Sequence, residues 1–130
     1  MTTGTTPSDR QYAKTHEWVK VEGNRATVGI TDHAQSELTD IVFVDLPAVG
    51  TTLVAGKTVL SLESVKTVSD VYAPGGGRIV ETNGELKAHP ELINQDPYGR
   101  GWLFRFEVAG PLAPGLMDAD AYRRSIGGGP

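Results

Sequence analysis

Apolar and polar positions alternate in short runs along most of this chain, and Gly, Pro or Asn closes most of the runs. That period of two, punctuated by turn residues, predicts an antiparallel β protein. His16 to Val21 and Arg25 to Ile30 flank Glu22-Gly23-Asn24, where Gly-Asn favours a tight hairpin. Ile41 to Leu46 reads as a buried strand closed by Pro47 and Gly50. Thr58 to Glu63 and Val68 to Ala73 alternate on either side of Ser64-Val65-Lys66-Thr67, a connection without Gly or Pro that a type I turn accommodates. Gly75-Gly76-Gly77 predicts a further turn leading into Arg78 to Thr82, and Trp102 to Val108 a strand with Arg105 and Glu107 on one face.

Three short helices interrupt the strands. Asp32 is suited to cap His33 to Leu38, with Gln35 three positions on as in a capping box. His89 to Asn94 predicts a helical turn after Leu86. Asp118 caps a last helix whose first turn holds Asp120 and whose last turn holds Arg123 and Arg124, matching the macrodipole. Residues 1–10 are Thr-rich, polar and aperiodic, and a disordered N-terminal segment is expected there. A flexible tail is expected over 127–130, leaving 11–126 as one domain.

Composition narrows the function classes. At 130 residues the chain fits a single self-sufficient core. A net charge of −4 without a basic stripe argues against nucleic acid and anionic membranes as partners. There is no apolar run of membrane-spanning length and no signal-like or Arg-rich start, so a cytoplasmic protein is the expectation. The absence of cysteine excludes disulfides and thiolate metal sites. His16, His33 and His89 are the only histidines and show no ligand spacing, so no metal is expected. No Gly-x-Ser-x-Gly elbow occurs, and the glycine triplet lacks the Gly-Lys-Ser/Thr of a phosphate loop. Catalytic residues are therefore not expected.

Lys66 stands at the presumed hairpin tip. A nucleophilic lysine needs burial or a neighbouring cation, whereas its nearest charges are Glu63 and Asp70. Two readings remain from the residues alone: a solvated lysine, or an amine that another enzyme reaches and modifies.

Around it, Glu63-Ser64-Val65-Lys66 followed by Ser69-Asp70 and Ala73-Pro74 resembles the lipoylation site of the glycine cleavage system H protein. Other blocks agree in order and spacing: His16-Glu17-Trp18-Val19, then Val28 to Gln35, Ile41 to Pro47, Asn94 to Tyr98, and Gly101-Trp102. The resemblance covers about residues 11–126, nearly the whole chain. It departs from the family pattern at Thr67, where alanine is common, and at Gly75-Gly76-Gly77, where an apolar residue is common.

The resemblance implies a mainly β fold, a flattened barrel-sandwich hybrid of lipoyl-domain type with short peripheral helices and a C-terminal helix. It implies a non-enzymatic carrier with lipoate attached to Lys66 as N6-lipoyllysine, in an attachment context of Glu63, Ser64 and Val65. The arm would take the aminomethyl group of glycine from a pyridoxal-phosphate decarboxylase (P protein) to a folate-dependent aminomethyltransferase (T protein). Dihydrolipoyl dehydrogenase (L protein) would reoxidise it, and a lipoate ligase or lipoyl transferase would install it. Glu17, Asp70 and Thr15 are implied as cleft residues for the cationic amine. The alternatives are an H-like lipoyl or octanoyl relay in protein lipoylation, an unmodified β-sandwich binding module, a biotinyl carrier, which methionines beside the lysine would mark, and a small lysine-dependent enzyme.

Overall fold

The computed structural model describes residues 6–127. In chain order its elements are β1 (Gln11–Tyr12), β2 (Glu17–Glu22), β3 (Arg25–Ile30), α1 (Asp32–Leu38), β4 (Ile41–Val44), β5 (Thr52–Leu53), β6 (Thr58–Ser64), β7 (Val68–Tyr72), β8 (Gly75–Thr82), α2 (Glu85–Ala88), α3 (Leu92–Gln95), β9 (Phe104–Leu112) and α4 (Ala119–Ser125). The strands form a six-stranded sheet, β1-β2-β3-β9-β8-β5, and a three-stranded sheet, β4-β6-β7, with every pairing antiparallel. Neither sheet closes on itself, so the mainly β barrel-sandwich expectation holds.

The alternation read from the sequence becomes the core between the sheets. Val28 and Ile30 from β3, Ile41 and Val44 from β4, Leu60 and Leu62 from β6, Val71 from β7, Ile79 from β8, and Phe104 and Phe106 from β9 all pack in one cluster. Each such side chain contributes about 1.5–3 kcal/mol by leaving water. Leu86, Leu92 and Ile93 add the inner faces of α2 and α3.

A second, aromatic cluster lies on the outer face of the large sheet, where Tyr12, Trp18, Ala119 and Tyr122 are buried. Gly29 makes it possible, because a Cβ there would lie 2.5 Å from the Trp18 ring. The Trp18 indole N–H donates to Pro97 O at 3.0 Å, and the Arg10 guanidinium stacks 4.6 Å from its ring. This cluster seats α4 and the approach to β1. Residues 1–5 and the tail over 128–130 lie outside the described residues, whereas Arg10 is packed against the body.

Three local expectations are corrected. The cap of α1 is Thr31, whose Oγ1 accepts from Ala34 N at 3.2 Å; Asp32 is the first helical residue and takes the Gln35 amide at 3.0 Å. The segment after Leu86 forms two one-turn helices, α2 and α3, separated by Pro90. Gly75-Gly76-Gly77 is strand and not turn, since β8 begins at Gly75. Gly77 at φ 154° has to be glycine, because a Cβ would meet Glu107 O at 2.0 Å. The Asp118 cap of α4 is as expected, accepting from Ala121 N at 2.8 Å.

Candidate functional site

The β6–β7 hairpin forms as the alternation predicts, with Lys66 exposed in its turn. Ser64 builds the turn. Its backbone N–H donates to Thr67 O at 2.8 Å, and its Oγ accepts from Lys66 N at 3.2 Å and Thr67 N at 3.0 Å. The side chain thus satisfies backbone donors that a glycine or proline turn would handle otherwise. Val65 N donates to Asp40 O at 3.0 Å, and Lys66 Nζ donates to Glu37 O at 3.3 Å. The end of α1 and the start of β4 therefore brace the tip from one side. Asn94 fixes that brace, donating to Thr39 O at 2.7 Å and accepting from Ile41 N at 3.0 Å.

At the far end of β7 lies a cleft of about 370 Å³. One wall is Ala13, Lys14, Thr15 and Glu17, another is Gly56 with Tyr72, Ala73 and Pro74, and a third is the segment Ala113 to Leu116. Glu17 is only 2% exposed. Its Oε2 accepts from Tyr72 N at 3.0 Å and its Oε1 from Thr15 Oγ1. Burial pushes its carboxyl above the ordinary range, with the Thr15 and Tyr72 bonds pulling the other way. A buried carboxyl in a cleft, held by two donors with lone pairs to spare, has the chemistry to accept a cation.

Backbone strain helps to aim it. His16 sits at φ 73°, unusual for a residue with a side chain, and is held there by His16 N donating to Ala13 O at 2.9 Å and Thr31 N to His16 O at 3.0 Å. The His16 ring is fastened too: the Tyr122 hydroxyl lies 2.8 Å from its Nδ1 and 2.7 Å from Thr31 Oγ1. That contact locks α4, and the segment leading into α4 is the third cleft wall.

Of the residues singled out in sequence, Glu17 and Thr15 come together in the cleft, and Glu63, Ser64, Val65 and Lys66 come together at the turn. Asp70 belongs to neither. It is exposed on β7 opposite Ser61, between the turn and the cleft, and does not line the latter. Tyr72 and the Ala113 to Leu116 wall were not legible. Tyr72 acts through its backbone N–H, which carries no sequence signal, and the wall comes from a segment about 100 positions beyond Ala13. Among the described residues no cluster of His, Cys, Asp or Glu could hold a metal ion.

A model of the glycine cleavage H-protein family matches residues 10–127. The chain belongs to that family. It is 50% identical to the glycine cleavage system H protein of Bacteroides thetaiotaomicron over 123 residues, covering 94% of this chain and 98% of the relative. It is 55% identical to the one from Pseudoalteromonas atlantica, covering 92% and 95%. Among solved structures, the crystal structure of the H protein from Mycobacterium marinum superposes with a TM-score of 0.87 at 41% identity, covering 93% of this chain and 98% of that one. Membership makes the chain a carrier subunit of glycine cleavage and not a catalyst.

Proposed function

We propose that this H-family chain carries a lipoyl group in amide linkage on Lys66, and that the arm delivers its amine cargo into the cleft containing Glu17. The observation that supports this best is the layout of β7. Its outward positions Val68, Asp70 and Tyr72 run from the lysine turn to the cleft wall, about 13 Å from first to last at strand spacing.

The residues fit such a group. Lys66 is exposed in a braced turn, and the cleft pairs one buried acid with largely apolar walls, the exposed Lys14 standing at its lining. When attached, a lipoyl dithiolane would supply the redox-active sulfurs that carry the amine cargo. Glu17 accepts the ammonium of that cargo, Thr15 fixes the carboxylate rotamer, and Asp70 meets the amine on its way along β7. Ala13, Ala73, Pro74, Pro114 and Leu116 keep water from a group that water would break down. The partners on this reading are a pyridoxal-phosphate glycine decarboxylase, a folate-dependent aminomethyltransferase, a dihydrolipoyl dehydrogenase and a lipoate ligase or lipoyl transferase, acting in the cytoplasm. Among the described residues no helix is long and apolar enough to cross a membrane. A lipoyl or octanoyl relay would present a neutral acyl group, for which a buried acid in the cleft has no use.

The test is intact mass after incubation with lipoate, ATP and a lipoate ligase. The parent gains one lipoyl increment and Lys66→Arg gains none; glycine and the decarboxylase then add one aminomethyl increment. A folded parent that gains no lipoyl with active ligase refutes the carrier reading.

A further inference from the structure

The outer face of the six-stranded sheet holds a groove of about 220 Å³ that shares no residue with the lysine turn or the Glu17 cleft. Register lines up Lys20 of β2, Thr27 of β3 and Arg105 of β9 in one row along it. Arg105 Nε donates to Thr27 Oγ1 at 3.1 Å, and its guanidinium lies 4.0 Å over the Trp102 ring. Arg10 lies 4.6 Å from the Trp18 ring and 5.6 Å from that of Tyr98, and it donates to Tyr98 O at 3.2 Å. Aromatic faces thus hold two guanidiniums in fixed planes, which keeps their forks ready for an oxyanion. In a chain of net charge −4, Arg10, Lys20 and Arg105 converge on one groove.

Two of these cations already share a carboxylate, and the chain itself supplies it. Asp9 Oδ1 accepts from Arg10 Nε at 2.8 Å, and its Oδ2 lies 3.3 Å from Lys20 Nζ. The Arg10 hydrogen bond holds the Asp9 carboxyl below its ordinary range. Two further acids stand nearby: Glu22 lines the groove 4.0 Å from Lys20 Nζ, and Glu81 accepts from Arg105 at 2.8 Å. The side chains of Asp9, Glu22 and Glu81 are all about half exposed or more. Exposed pairs of this kind are weakly held, so an incoming carboxylate can take their place.

We propose that this groove docks an acidic segment of a partner protein, one carboxylate of which replaces Asp9 between Arg10 and Lys20 while a second pairs with Arg105. The inference goes beyond the carrier reading and does not depend on it. Two observations select this occupant over a free anion. Lys20 and Arg105 stem from strands two apart, about 10 Å at ordinary spacing, a span that suits two acids on one extended segment better than a single small anion. The carboxylate seated there now is likewise borne on a peptide chain. Asp9 is then an internal stand-in for the partner's acid and competes with it. Charge complementarity of this kind speeds encounter and makes it salt-sensitive.

The probe is hexaglutamate, titrated at low salt against the full chain. Tryptophan emission is the readout, because Trp18 and Trp102 carry the two guanidiniums. Saturable binding is expected, falling as salt is raised and weakening about tenfold in Arg105→Gln and in Lys20→Gln. Lys57→Gln removes the same charge at an exposed position outside the groove and should bind as the parent does. Asp9→Asn should bind about threefold more tightly, since the internal competitor is gone. Thermal unfolding verifies that each variant is folded. No saturable binding by the parent overturns the proposal, as does an equal loss in Lys57→Gln or an Asp9→Asn variant that binds no better than the parent. Inorganic phosphate binding as tightly as the peptide also overturns it, by making the groove a site for a free anion. A parent that is never lipoylated refutes the carrier reading and leaves this titration unaffected.

Discussion

Glu17 is where stability and use pull apart. Burial raises its carboxyl above the ordinary value of 4.5, so between that value and the raised one the folded protein holds a proton the unfolded chain releases. Its contribution is therefore favourable below about 4.5 and is lost as pH rises through the raised value. At neutral pH the side chain weakens the fold. Glu17→Gln keeps an acceptor for Tyr72 N and a partner for Thr15 without the charge. Its Tm should exceed the parent's by a few degrees at pH 7, about 1 kcal/mol, with the difference closing as the parent is acidified. The same variant, once lipoylated and loaded from glycine, should lose its cargo faster than the parent, because the cation has lost its acceptor. Mass-spectrometric decay of the loaded form checks this. A more stable protein that protects its cargo less is the signature of a residue kept for function. The buried carboxylate itself was not legible. Glu17 reads as an outward residue of a strand, and only the family resemblance pointed to it.

At the scale of elements, the β6–β7 hairpin is mostly local physics. Alternation in Thr58 to Glu63 and Val68 to Ala73 places both strands to within a residue of their ends. The turn between them depends on one hydroxyl. Ser64→Ala removes the acceptor for Lys66 N and Thr67 N, and should cost about 1–2 kcal/mol, read as a lower Tm. Faster amide exchange at Lys66 and Thr67 should accompany it. Helix boundaries show the limits of local reading. Thr31 and Asp32 are both good caps, and Thr31 wins because its hydroxyl also meets the Tyr122 hydroxyl, from a helix 91 positions away. Asp118 has no such competitor and caps as expected. The glycine triplet misled for a related reason. Glycine reads as a turn, yet β8 needs it because β9 approaches too closely for a Cβ at Gly77.

For the whole molecule, the main core between the sheets is joined by the aromatic cluster on the outer face of the large sheet. That cluster binds the N-terminal approach, the Pro97–Tyr98 corner and α4 to one tryptophan ring. Gly29→Ala would drive a methyl into Trp18, which cannot yield while its N–H holds Pro97 and Arg10 lies on its face. A loss of about 2–3 kcal/mol is expected, measured by denaturant unfolding. Tryptophan fluorescence should shift as the ring is displaced. Because α4 is seated on the same cluster and its leading segment walls the cleft, the variant should also protect loaded cargo less well.

The sequence by itself determined the strand-rich character, the principal hairpin, the exposed lysine at its tip and the family, because these rest on local periodicity and on motif blocks in register. Tertiary structure alone decided that Glu17 is buried, that Asp70 stands between turn and cleft, and that Lys20 and Arg105 share a row across Thr27. Those facts depend on pairings between positions distant along the chain. No local propensity encodes which strand becomes a neighbour or which loop closes over a carboxylate.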